Sequence, residues 1–444
     1  MSLSAGASSV EITPRKQLYL TGYPHVERVS EGVNDPLFSS ALFLGDGQSS
    51  VITISLDLLY LNPGFAKALR RAIQDKTGVP ESHVLVSCTH THSGPLTAEI
   101  LAWRDDPTVP TPDAEYMDYL KAKVVESAVK AAETRRPAEI AWTSADIEGV
   151  GGNRHDPSWP RDPQAGVALV RGKGDRKTIA LSVVYSMHPT VMHEDSKLVS
   201  SDFPGYARKY LQDRLGQGVS VVYHLGPAGN QSPRHHVRGQ TFAEAERLGF
   251  LLGRQVHESV SALRDADFSG DVVLAATIGR ASLVFKRPPS LDEAEANLAA
   301  CVERYERLKR EDAGHGPVRT AECVVFGAEE AVTLARAESA GELAALRERY
   351  NPVEVQVLRI GEAFLVGLPG EIFVEYALEL KRRFQNKVFV VSLVNGDTQG
   401  YIVTPEAAAR GGYEASYGIF APESGTVLVE AAERLVKQLG GESR

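Results

Sequence analysis

Only three cysteines, Cys88, Cys301 and Cys323, occur in 444 residues. None sits in a CxxC pair, so no disulfide framework is indicated. No apolar stretch approaches the roughly 18 residues that a membrane-spanning helix needs. The first residues, Met1 to Pro14, lack the apolar segment of a secretory signal and run straight into strand-like sequence. Cytoplasmic residence is therefore expected, without integral membrane contact. Positive charge is also in deficit. The formal net charge of -9 argues against a nucleic-acid partner, which would normally be met by a basic face. Repeats, low-complexity blocks and convincing linkers are lacking too. What is present, 43% apolar and 24% charged residues, is ordinary for a globular protein. The length suits two or three modest domains or one large α/β domain with insertions.

Strand-like and helix-like segments alternate, which favours an α/β architecture in one large domain. Ser8 to Pro14 reads as an opening strand stopped by proline. Ser39 to Leu44 and Ser50 to Leu58 read as a hairpin around Gly45-Asp46-Gly47. Helices are expected over Phe65–Thr77, Asp113–Arg135, Asp202–Leu215, Gln240–Arg264 and Val427–Leu439, and from Pro369-Gly370-Glu371 through Arg383. Strands are expected at Ala138–Thr143, Val167–Val170, Ile179–Met187, Val219–Leu225, Val353–Ile360, Ala363–Gly367 and Val388–Val394. Ser290–Arg310 and Ala328–Tyr350, rich in Ala, Glu, Leu and Arg, read as a helical pair inserted at about 287–350.

The densest chemistry lies in Ser87-Cys-Thr-His90-Thr-His92-Ser-Gly-Pro95, after the apolar run His83–Val86. Alternation along a strand would put His90 and His92 on one face. Two such imidazoles can supply a metal ligand, a general acid/base, or one of each. They can equally be hydrogen-bonded polar residues at a loop mouth. His188 ends a strand before Pro189, where it could simply cap it. Glu371 follows a very apolar strand and could cap a helix or ligate a metal. Ser232 lies in a Gly- and Pro-rich loop, where a turn serine is ordinary. Arg154 could be a solvated loop charge, and Tyr401 and Tyr413 packing residues. Together they make the inventory of a metallohydrolase site.

Thr89-His-Thr-His-Ser-Gly-Pro95 resembles the THTHSGP signature of the neutral/alkaline ceramidase family. Val10–Pro14, Thr21–Tyr23, Asn153-Arg154, Leu198–Asp202, Gly229–Pro233, Leu368–Glu371, Gly400–Thr404 and Tyr413–Ser416 resemble further segments of that family, in the same order. The resemblance implies the family's α/β catalytic domain, a mixed sheet core flanked by helices. It implies one zinc per chain held by His90, His188, Glu371 and Tyr401. His92 would be the acid/base, Tyr413 the donor to the oxyanion, and Ser232 and Arg154 would line the scissile end of the substrate. The implied reaction is hydrolysis of the amide bond of an N-acyl small molecule, sphingolipid-like substrates included.

The chain departs from the family pattern in three ways. The family's C-terminal β-sandwich is not expected here. No bilayer-docking stretch is evident. The serine loop continues as Arg234-His235-His236, a basic cluster that points to a polar or anionic substrate rather than a two-tailed lipid. Other readings of the same residues are a zinc esterase or lactonase, a silent binding protein of the same fold, and a serine hydrolase pairing Ser232 with His92.

Overall fold

The computed structural model describes residues 2–442. Eight strands form one mixed sheet: β1 (Ser4–Glu11), β2 (Phe38–Gly45), β3 (Ser50–Leu56), β4 (Val84–Cys88), β5 (Arg136–Asp146), β6 (Gln164–Gly172), β7 (Thr178–Tyr185) and β8 (Ser220–Leu225), ordered β8-β7-β6-β5-β1-β2-β3-β4. The inner pairings are antiparallel, whereas the outermost pairs, β3 with β4 and β7 with β8, are parallel. The two ends of the sheet meet. Ser87 on β4 hydrogen-bonds His224 on β8 at 2.7 Å, and Ser55 on β3 donates to the Tyr223 carbonyl. A second sheet holds β9 (Leu274–Ala281), β10 (Val353–Ile360), β11 (Ala363–Gly367) and β12 (Val388–Val391). Its last pair, β11 with β12, is again parallel.

Eleven helices among the described residues surround these sheets: α1 (Pro63–Thr77), α2 (Ala114–Glu133), α3 (Asp202–Leu215), α4 (Phe242–Ser261), α5 (Leu291–Arg310), α6 (His315–Ser339), α7 (Glu342–Tyr350), α8 (Val374–Arg383), α9 (Pro405–Arg410), α10 (Tyr413–Ser416) and α11 (Glu423–Gln438). Local chemistry sets many of their ends. Asn62 and Asp113 cap α1 and α2 by accepting from Gly64 N and Tyr116 N, each at 2.9 Å. Ser290 and Glu293 form a reciprocal capping box on α5. The α/β architecture expected from the sequence is thus the one observed.

Several boundaries differ from expectation for identifiable reasons. The opening strand begins at Ser4, because β1 follows the full length of β2 from Ser4↔Gly45 to Glu11↔Phe38. Strand β9 lies in a stretch that gave no clear strand signal; its middle residues are half-buried, so the alternation is blurred. The helical pair expected around 290–350 is three helices, with α6 beginning at His315 rather than Ala328. No helix becomes continuous from Pro369: residues 371–372 pair instead with 401–402, and α8 starts at Val374.

Helix α6 spans several loops that converge near the strand ends. Arg319 pairs with Glu194 at 2.8 Å and Thr320 accepts from Arg234 at 2.8 Å. Glu329 meets His25 at 2.9 Å, and Glu330 accepts from the Trp103 indole at 3.0 Å. No helix among the described residues is long and apolar enough to cross a membrane.

Candidate metal centre

The centre is assembled at the carboxyl ends of the three parallel strand pairs, the usual place for ligands in α/β sheets. His90 follows β4, and its Nδ1 is 3.0 Å from the carbonyl of Leu59, which follows the neighbouring β3. His188 follows β7, and its Nδ1 is 2.7 Å from the carbonyl of Ala228, which follows the neighbouring β8. Glu371 follows β11, and its backbone pairs in register with Tyr401, which follows β12. Each pair therefore contributes one ligand-type side chain and, from its neighbour, either an anchor or a second such side chain.

Both anchors have the same consequence. A carbonyl only accepts, so Nδ1 must carry the proton and Nε2 keeps its lone pair. The two free Nε2 atoms lie 3.0 Å apart, and Glu371 Oε2 is 3.3 Å from His90 Nε2 and 3.2 Å from His188 Nε2. Ligands about 2.0–2.1 Å from a tetrahedral zinc are roughly 3.3–3.4 Å from one another. The triangle thus fits one ion, and the donor set of two imidazoles and a carboxylate suits zinc. Burial pushes the His188 imidazole down to about 4, which keeps it neutral and ready to ligate.

His92 joins the same cluster by a route other than strand alternation. Strand β4 ends at Cys88, and His90 has a left-handed φ of 69°. The chain turns, and the His90 and His92 rings meet edge to face with centroids 4.9 Å apart. The ligand nitrogens of His90, His92 and His188 lie within 4.8 Å of one another. His92 Nδ1 faces the Gly22 carbonyl at 3.1 Å, while Nε2 is buried without a protein partner. Burial, then the neighbouring rings of His90 and His188, push its imidazole well below the ordinary range. Arg28, fully buried, donates to the His92 carbonyl at 2.9 Å and to the Ser196 carbonyl, fixing this turn.

Tyr401 is buried beside Glu371, and burial followed by that carboxylate pushes its hydroxyl well up. The Arg154 guanidinium lies 5.3 Å from the Tyr401 ring centre. Tyr413 sits 5.8 Å, ring to ring, from both Tyr401 and Tyr417. Arg154 forms an ion pair with Glu414 at 2.5 Å. Ser232 is buried on a two-residue ladder with Gly152, next to the Gln231–Asn153 pairing. Its hydroxyl accepts from Arg234 N at 3.3 Å. Ser232 makes no hydrogen bond to His92, whose Nε2 is unpartnered, so a Ser–His pair is not formed.

The basic cluster departs from expectation. The Arg234 side chain is turned to α6, where it meets Thr320 and the Gly316 carbonyl. His235 is exposed and contacts the Arg154 carbonyl at 3.3 Å. Sequence reasoning did not single out Glu414, Tyr417, Arg28 or the carbonyl anchors of Gly22, Leu59 and Ala228. Carbonyls carry no sequence signal. Glu414 has one, since it stands directly after Tyr413.

Residues 4–223 match the family model described as neutral/alkaline non-lysosomal ceramidase, N-terminal. The chain is 23% identical to the neutral ceramidase of Mycobacterium tuberculosis, over 98% of this chain and 77% of that protein. It is 22% identical to neutral ceramidase 2 of Arabidopsis thaliana and 23% identical to neutral ceramidase B of Dictyostelium discoideum. Those alignments take in 48% and 50% of this chain, and span 30% and 33% of the two relatives. The fold is similar to that of the crystal structure of neutral ceramidase from Pseudomonas aeruginosa, with a TM-score of 0.76 at 18% identity over 99% of this chain and 75% of that one. It is similar as well to a ceramidase complexed with C2, with a TM-score of 0.74 at 17% identity over 100% of this chain and 76% of that one.

Proposed function

We propose that this chain, which belongs to the neutral/alkaline ceramidase family, is a zinc-dependent hydrolase of the amide bond of an N-acyl amino alcohol. The observation that carries the reading is the triangle of His90 Nε2, His188 Nε2 and Glu371 Oε2, with sides of 3.0, 3.3 and 3.2 Å. Those three residues, with Tyr401 as fourth, would hold the ion. When bound, zinc supplies Lewis-acid polarisation of a carbonyl and lowers the pKa of water toward about 7.

The chain's own residues do the rest. His92 Nε2 is free, buried and neutral, so it can take the proton of the attacking water and return it to the leaving amine nitrogen. Its Nδ1–H···O=C bond to Gly22 holds that tautomer and supports the imidazolium that forms. The Tyr413 hydroxyl, kept protonated by burial, is a donor for the oxyanion of the tetrahedral intermediate. Arg154, tied to Glu414, stands over Tyr401 and keeps positive charge beside the phenol oxygen expected to ligate.

Elemental analysis of the purified protein should find about one zinc per chain. Chelation should abolish N-acyl amide hydrolysis, and added zinc should restore it. His90→Ala should lose both metal and turnover. Full metal occupancy in His90→Ala would remove the basis of the assignment.

A further inference from the structure

Helix α6 carries a carboxyl that the hydrolytic scheme leaves unused. Gly327 backs onto Tyr413: a Cβ at 327 would lie 3.2 Å from the Tyr413 Cα. Residues three apart on a helix share a face, which places Glu330 on the same side one turn further on. Glu330 is 1% exposed. Its Oε1 accepts from Trp103 Nε1 at 3.0 Å, while Oε2 is buried with no protein partner. The tyrosine pair is close by: after burial, Glu330 is the strongest influence raising the hydroxyls of both Tyr413 and Tyr417. Lys286, the cation whose charge reaches this carboxyl, makes no ion pair with it. Lys286 Nζ is spent on the carbonyls of Ala415 and Ser416, at 2.7 and 2.9 Å. Buried polar atoms without a partner are uncommon and costly, so Oε2 calls for a hydrogen-bonding group from outside the chain.

We infer that Glu330 is a specificity-determining residue whose Oε2 hydrogen-bonds a hydroxyl of the substrate next to the scissile amide. The inference rests on the hydrolytic reading for where the substrate sits. A hydroxyl is the matching group because it both donates and accepts. It satisfies the carboxyl whether Glu330 is ionised or protonated, whereas an ammonium suits only the first state and an ether only the second. Trp103 sets the orientation. An indole N–H can only donate, so one carboxyl oxygen stays on Trp103 and the other is left for the substrate.

The test uses the full chain loaded with zinc and two compounds, an N-acyl amino alcohol and its deoxy counterpart. Calorimetric binding and kcat/KM are measured on each. Wild type should favour the hydroxyl compound by at least about tenfold, because a site built to bond a hydroxyl rejects the analogue lacking it. Glu330→Met should bring the ratio close to one. Glu330→Gln should keep it, with the amide oxygen on Trp103 and the NH2 turned to the hydroxyl. If Met fails to fold, loss of the ratio in the folded Gln variant overturns the inference. Equal ratios in wild type and Glu330→Met would overturn the inference and leave Glu330 as a support for Trp103. The inference is overturned as well if wild type binds neither compound or does not distinguish them. Discrimination in binding without turnover of either compound would uphold Glu330 and refute the hydrolytic reading instead.

Discussion

His92 differs from His90 and His188 in what its Nε2 meets. The other two point at each other and at Glu371, while His92 Nε2 makes no hydrogen bond to the protein. His92→Ala should therefore retain zinc by elemental analysis and lose turnover by 10²-fold or more. Its anchor is equally specific. Gly22 has a φ of 119°, and a Cβ there would sit 2.7 Å from the His92 ring. Gly22→Ala should displace the imidazole and depress kcat while the metal content stays near one. Glu414 offers a different readout at the same scale. Burial would raise its carboxyl, but Arg154 holds it at about 2 against an ordinary 4.5. The folded chain then binds fewer protons than the unfolded one between those values. The contribution is complete above pH 4.5 and is lost as pH falls toward 2, on the order of 3 kcal/mol in all. Urea midpoints against pH should fall more gently through this window in Glu414→Gln than in wild type.

At the scale of elements, the three parallel pairs must be held in fixed relation for their ends to converge. Helix α8, directly after Glu371, is tied to the first sheet by a buried ion pair. Lys381 Nζ lies 2.6 Å from Asp162 Oδ2 and donates to the Gln164 carbonyl. Lys381→Met would strand the Asp162 carboxylate in the interior, at a cost of about 3–5 kcal/mol. Chemical denaturation should show that loss, and pairing it with Asp162→Asn should recover part of it. Gly370, with a φ of 77°, lies so close to Thr398 that a Cβ would be 1.8 Å from its hydroxyl oxygen. That contact seats the turn before Glu371, so no helix starts at Pro369. Such long-range determinants explain what the sequence revealed and what it hid. The core strands and most helices were legible from periodicity and caps, as at Asn62 and Asp113. The two-residue ladder joining Glu371 to Tyr401 was not, because 30 residues separate its members and neither run is long enough to show alternation. His90 and His92 were legible as a pair, but their shared direction comes from a left-handed turn rather than from a strand. Ser232 and Arg154 were legible through motif likeness, and their partners Arg234 N and Glu414 only through the fold.

For the whole molecule, the question is which substrate reaches the centre. Among the described residues, the exposed large apolar side chains are Val29, Val33, Val273, Val284 and Val302, between 39% and 51% exposed. They are valines spread over four segments, Val29 and Val33 sharing one, without the aromatic and leucine-rich face that docks a protein on a bilayer. Helix α6 also bridges the loops of Trp103, Glu194, Arg234 and Tyr413 over the side of the centre that holds the tyrosine pair. Arg234 is engaged by that helix, and Glu330 stands one turn beyond the contact of Gly327 with Tyr413. An anionic substrate therefore gains little from the basic cluster, and a neutral polar one fits better than the sequence alone implied. Short, soluble N-acyl amino alcohols should be cleaved with higher kcat/KM than long-chain ceramide, and a carboxylate on the substrate should give no advantage. The comparison is made in detergent at matched free concentrations. Shortening the acyl chain of one amino alcohol in steps should raise kcat/KM or leave it flat. A steady rise with chain length up to long-chain ceramide would mean that this surface and helix admit a membrane lipid after all.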